Sequence, residues 1–196
     1  SRPVLAEVAA TQDAVVLCEL THAPMHLVHV SCERALDAAR NPDTAGPPLT
    51  IETRPLYLYF TDEALLRTDG RLYVGQPPLR PQSDVEAMWR GLADGRITFL
   101  ATDHAPWMRA QKMDPALDVG QLRPGVSDLR FMLPVLYSEG VRKGRLSEER
   151  FVEVVSTGAA RTFGLYPERG VVREGSLADL VVFDPELERT ASAAAD

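Results

Sequence analysis

What most constrains this chain is a repeated alternation of short apolar runs with helix-spaced segments. MHLVHV at 25–30 reads as a buried strand, residues 33–40 as a short helix, and LTIET from Leu49 as a second strand. NPDTAGPP at 41–48 is the turn-rich connection between them. Residues 84–93 then carry helical spacing, DGR at 94–96 turns the chain, and ITFLATD forms a third strand. Strand, helix, strand, helix, strand means parallel strands joined by crossover helices, because parallel neighbours need a long connection. The class is α/β, as an open doubly wound sheet or a TIM-type barrel.

On either side of this series the text differs. Val4 to Leu20 suits a helix ended by HAP at 22–24, and residues 61–81 are loop-rich. Beyond Asp103 a long loop runs through Gly120, followed by an expected helix from Ser127 to Glu139. Ser147 is placed to cap a further helix with Phe151, Val155 and Ala159 on one face, which Gly158 is expected to break or bend. VVREGSLADLVVFDP reads as two short strands around Gly175 and Ser176. The expected units are residues 1–165, then 170–190, then a frayed tail at 191–196.

Composition removes several partners. The 196 residues suffice for a substantial core, and 45% hydrophobic with 25% charged residues is ordinary for a soluble globular protein. A net charge of −7 argues against nucleic acid and anionic membranes, which need a basic face. No apolar run reaches a bilayer-crossing length and SRPVLAEVAA lacks a signal-peptide plan, so a cytosolic setting is expected. Cys18 and Cys32 have neither metal-type nor CxxC spacing and read as reduced, structural thiols.

Period-2 alternation sorts the candidate site residues. It puts His26 with Val28 and Val30, and His29 with Leu27 and Ser31; in the third strand it groups Phe99, Ala101 and Asp103. In a barrel, one histidine and one acid can meet at the C-terminal ends of neighbouring strands, and imidazole nitrogen with carboxylate oxygen suits zinc and similar ions. The plainer readings stand beside this one. His29 can be a hydrogen-bonded rim residue, Asp103 a turn cap, Cys32 a buried filler, and His22 and His26 structural.

The order of the motifs adds a resemblance. HLVHVSCERALDAAR, ETRPLYLYFTDE, QPPLRPQSDVEAMWRGLADG, ATDHAPW, the run from RPGVSD to FGLYP, and GSLADLVVFDP together resemble the amidohydrolase superfamily, from about Thr21 to Pro185. The chain is most similar to the cyclic amidases, dihydropyrimidinase and D-hydantoinase, with dihydroorotase and allantoinase as near relatives. The resemblance implies a (β/α)8 barrel flanked by a small β-sandwich, and two divalent metals, zinc being expected, bridged by a carboxylated lysine. It implies metal-ligand roles for His29 and Asp103, in agreement with choosing His29 over His26 by face. It also implies that Asp103 passes a proton from the metal-bound water to the leaving ring nitrogen of a small cyclic amide or imide.

Departures from the family pattern bear on substrate. Trp107 stands where dihydroorotase-like chains carry a histidine that helps to hold a carboxylate, which favours an uncharged ring with an apolar substituent. Gln121 and Leu122 precede RPGV where hydantoinases often have Asn-Gly, and Gln76 replaces the serine before PPLR; Gln76, Trp107 and Gln121 are the candidate substrate contacts. The HxH pair, the bridging lysine and the second metal histidine of the family have no counterpart in the sequence. Residues 1–165 are therefore expected to be the C-terminal half of a barrel, and 170–190 part of the sandwich. Such a half-barrel is expected to bind metal weakly, to be inactive alone, and to cover its open surfaces with a second copy or a partner. The alternative of another class is a non-catalytic, dihydropyrimidinase-like scaffold or binding protein.

Overall fold

A computed structural model describes residues 2–40, 48–188 and 190. The chain opens with α1, Val4–Thr21, which ends as His22 turns left-handed at φ 52°. Its buried positions are Val8, Thr11, Val15 and Cys18, while Val16, Leu17 and Leu20 face outward. β1, Met25–Leu27, leads through α2, Glu33–Ala38, to β2, Leu49–Thr53. The connection expected at 41–48 lies outside the described residues except for Pro48, as does the tail at 191–196.

After α3, Leu56–Tyr59, the loop-rich stretch holds two 3-10 turns, Asp62–Leu66 and Gly70–Tyr73. α4, Gln82–Asp94, buries Val85, Met88, Trp89 and Leu92, spaced at i, i+3, i+4 and i+7, and packs them against α2 and α3. Trp89 gains a polar anchor by donating from Nε1 to the Leu58 carbonyl at 2.9 Å. The helix stops at left-handed Gly95, and β3, Phe99–Leu100, follows.

The three strands form one parallel sheet in the order β1-β2-β3, as the alternation required. Backbone bonds lengthen the ladder slightly, with Val30 N donating to Glu52 O, and Ala101 N to Thr53 O. Leu36, Leu56, Met88, Leu92 and Ile97 pack between sheet and helices almost without exposure. Each contributes roughly 1.5–3 kcal/mol by leaving water.

Three expectations change. The helix placed over 127–139 is shorter: α5, Arg109–Lys112, is followed by a loop, then α6, Met132–Val135, which widens into π-helical turns at Leu136–Val141. Residues 128–131 form a turn instead, because Asp128 is buried against Arg54. Residues 171–184 contain no strand among the described residues: a strand exists through its ladder, and the described backbone bonds are local, from Ser176 N to Arg173 O and from Leu177 N to Glu168 O. The third change is at Gly158.

Ser147 caps α7, Glu148–Val152, accepting from Arg150 N as its position suggested. The helix then continues through π turns at Glu153–Thr157 into α8, Gly158–Thr162, without a break. Gly158 is there because the helix lies on β3: a Cβ at this position would stand 2.6 Å from the Thr98 carbonyl oxygen. No helix among the described residues is long and apolar enough to cross a membrane. Helix propensity alone predicts that Gly158→Ala stabilises by roughly 1 kcal/mol. The clash with backbone reverses the sign, and a loss of about 1–3 kcal/mol is expected. Urea unfolding of the two proteins checks this; an unchanged or higher midpoint for the variant would contradict it.

Candidate functional site

His29 and Asp103 follow the C-terminal ends of β1 and β3, and because the strands are parallel, both lie at the same end of the sheet. Both also leave the strand conformation in the same way, with φ at 45° and 44°. Among the described residues the only other non-glycine with positive φ is the helix cap His22. A left-handed backbone costs a residue with a Cβ on the order of 1 kcal/mol, and such strain gathers at sites where a side chain must be aimed.

The turn at His29 is held from behind. Glu7 of α1 accepts from Ser31 N at 2.8 Å and from Ser31 Oγ at 2.6 Å, and buried Arg80 pairs with the same carboxylate at 2.7 Å. Cys32 is wholly buried beside them, its thiol pushed up to about 12, mainly by burial and then by Glu7, which suits a filler and not a nucleophile. His29 itself has no side-chain hydrogen bond among the described residues and lines a cavity of about 500 Å³ with Glu7, Thr11, His26 and Arg80.

The alternation argument for His29 does not survive the register. His26 sits beside Thr50, and Glu52 beside Phe99, so these four residues share one face of the sheet. His26 Nδ1 and Thr50 Oγ1 are 2.8 Å apart, Nε2 and Glu52 Oε2 3.1 Å, and the imidazole stacks on Phe99 at 5.1 Å. His26, not His29, therefore lies on the face of Phe99, as a paired structural residue. His29 stands past the last paired residue of β1, where period-2 counting no longer applies.

Arg54, one residue beyond β2, joins the site and was not singled out by sequence. It is 1% exposed, and its Nη1 lies 2.9 Å from Asp103 Oδ2 while Nη2 lies 3.2 Å from Asp128 Oδ2. Burial raises the Asp128 carboxyl above its ordinary range, an effect that Arg54 only partly offsets. The sequence signal was the charge in ETRP at the end of a strand, on the same alternation as Thr50 and Glu52. Neither partner is local, Asp128 being 74 residues away.

The three expected substrate contacts sit on loops that the protein itself has tied down. Trp107 Nε1 donates to the Pro124 carbonyl at 2.7 Å, and the Arg123 guanidinium lies 5.3 Å from its ring centroid. The indole donor is thus committed, and the absence of positive charge expected from Trp107 alone is overturned by Arg123. Gly125, at φ 112°, lies so close to Ala105 that a Cβ would stand 2.6 Å from its carbonyl oxygen, which explains the glycine of RPGV. Gln121 forms a reciprocal cap with Asp118, and Gln76 lines a cavity of about 470 Å³ with Val119, Gly120 and Leu122. Buried Lys112 fastens these loops by donating to the carbonyls of Leu72, Val74 and Gly125 at 2.6–3.1 Å; burial lowers its pKa to about 8.

These residues do not form a metal centre by themselves. A catalytic zinc takes about three protein ligands, and the described residues contain no cluster of three histidine, cysteine, aspartate or glutamate side chains able to hold an ion. β2 separates the strand of His29 from that of Asp103, whose one oxygen already carries a guanidinium.

Comparison with known proteins yields one family and a consistent set of relatives. The amidohydrolase family matches residues 26–195. A D-hydantoinase of Ralstonia pickettii is 37% identical over 191 residues, covering 96% of this chain and 42% of that protein. Among solved structures, a dihydropyrimidinase from Brevibacillus agri superposes with a TM-score of 0.90 at 37% identity, over 97% of this chain and 42% of its own. A D-hydantoinase from Bacillus sp. AR9 does so with a TM-score of 0.92 at 37% identity, over 98% and 42%. The chain thus spans about two fifths of the length of the relatives it matches.

If His29 is kept in its strained turn for its imidazole, removing the side chain should relieve the fold. His29→Gly is expected to raise unfolding free energy by about 1 kcal/mol. Equilibrium denaturation measures it, and a destabilised variant would show that the imidazole holds the turn.

Proposed function

The chain belongs to the amidohydrolase family, and from that premise we propose that it is part of a hydrolase that opens uncharged cyclic amides of the hydantoin and dihydropyrimidine type. Asp103 is its proton-carrying carboxylate. The observation that carries this reading is the geometry of Asp103: strained backbone at the C-terminal end of a parallel strand, one oxygen on Arg54, and a side chain still 44% exposed to an incoming ring. Parallel α/β sheets carry their chemistry at this end.

The chain's own residues suffice for three tasks. Asp103 accepts the proton of the attacking water and returns it to the ring nitrogen as the C–N bond breaks. Arg54 keeps that carboxylate aimed, through Nη1 at 2.9 Å from Oδ2, and a guanidinium stays charged at any working pH. The indole of Trp107, fixed through Pro124, offers an apolar wall for a ring substituent. The described residues do not fit the metal pair implied by the resemblance, and none of these tasks runs through it.

The names of the relatives support the substrate class, hydantoins and dihydropyrimidines over an acidic ring such as dihydroorotate. Gln76 and Gln121, at the rim of the same loops, are the further contacts proposed. The exposed apolar side chains Leu5, Val16, Leu17 and Leu20 of α1 would be covered by a second copy or a partner, and the apolar runs at 171–184 would pair as the start of a β-sandwich. A second reading, a barrel that binds such rings without opening them, is favoured by the pair between Arg54 and Asp103, which occupies an oxygen that hydrolysis would use.

Ring opening by the protein carrying this chain decides between the two. Asp103→Asn is expected to lower kcat/KM for hydantoin and dihydrouracil by at least about 100-fold, the scale of a lost general acid–base group. Dihydroorotate should turn over more slowly than either. Unchanged turnover in the variant would remove Asp103 from the mechanism, and faster dihydroorotate opening would reverse the substrate order.

A further inference from the structure

We propose that Arg54 is the resident cation of this site and that Asp103 of this protein is held by the arginine in place of a metal ion. The carboxylate that the resemblance implied as a metal ligand is bonded through Oδ2 to Nη1 of a guanidinium that is 1% exposed. That guanidinium cannot withdraw. It stands one residue past β2, spans to Asp128 on its other nitrogen, and lies 5.9 Å from the ring centroid of Tyr57.

The charges around it already match. Arg54 bridges Asp103 and Asp128, while Lys112 and His104 lie near enough to Asp128 to act on its charge. A divalent ion on the second oxygen of Asp103 would add charge of the same sign as the guanidinium on the same carboxylate. Arg54 Nε is the one buried side-chain nitrogen or oxygen without a hydrogen-bond partner among the described residues, so the ion pairs of the guanidinium run through its two terminal nitrogens. Arginine also cannot lose its proton to make room for a metal.

The inference concerns which cation Asp103 carries, and it is tested without any turnover. Zinc chloride is titrated calorimetrically into the 196-residue chain and into Asp103→Asn, Arg54→Lys, Arg54→Gln and the Arg54→Gln/Asp103→Asn double variant. Zinc retained after gel filtration is measured in each. Asp103→Asn and Arg54→Lys are expected to leave zinc affinity within about threefold of the parent, since Asp103 contributes nothing to it while a cation is present. A folded Arg54→Gln is expected to bind zinc at least about tenfold more tightly, through two carboxylates no longer bridged, and the gain should vanish in the double variant. A loss of zinc affinity beyond threefold in Asp103→Asn would overturn the proposal, as would an unchanged affinity in folded Arg54→Gln. Should Arg54→Gln fail to fold, the comparison of the parent with Asp103→Asn decides alone. Absence of ring opening would bear on the proposed function and leave this result untouched.

Discussion

The upper end of this sheet is organised by one buried positive charge. Arg54 lies where β2 ends, almost wholly out of solvent, with a carboxylate on each terminal nitrogen. Desolvating such an ion costs several kcal/mol, and only paired acids offset that cost. Asp103 and Asp128 are therefore constrained together: the chain after β3 turns left-handed at Asp103, and the segment after RPGV gives up a helical turn to bring Asp128 in. Lys112 repeats the device one layer out, a buried ammonium spent on three loop carbonyls. Two cations thus fix the geometry of the loops beside the candidate site.

Much of the scaffold was legible because it depends on local periodicity. The apolar runs at 25–30, 49–53 and 97–101 announced parallel strands, and the spacing of Val85, Met88, Trp89 and Leu92 announced α4. The place of Asp103, an acid just past the end of an apolar strand, was legible too. What failed depended on distant partners. Asp128 looked like an early helical residue until Arg54 claimed it, Gly158 looked like a helix breaker until the Thr98 carbonyl appeared beside it, and 171–184 looked like strands but forms no ladder among the described residues. Arg54 itself was hidden in ETRP, since no local pattern says that a strand-end arginine will be buried.

The two histidines show how alternation misleads at a strand end. Counting by twos separated His26 from His29 and favoured the second, yet the register puts His26 with Thr50, Glu52 and Phe99 in a closed polar and aromatic set. His29 stands past the end of the strand, where Glu7, Ser31 and Arg80 hold the turn in shape. The resemblance and the backbone strain at His29 and Asp103 point to the same end of the sheet as the proposed site. A guanidinium stands there beside the carboxylate that the resemblance assigns to a metal.

The dependence of the site on the pair between Arg54 and Asp103 is measurable as a coupling energy. A double-mutant cycle on unfolding, with Arg54→Gln, Asp103→Asn and both together, isolates it from the cost of each change alone. Buried position and direct contact predict a coupling of at least about 1.5 kcal/mol. A value within about 0.5 kcal/mol of zero, the additivity of independent sites, would mean that Arg54 does not organise Asp103 and would contradict the account at its centre.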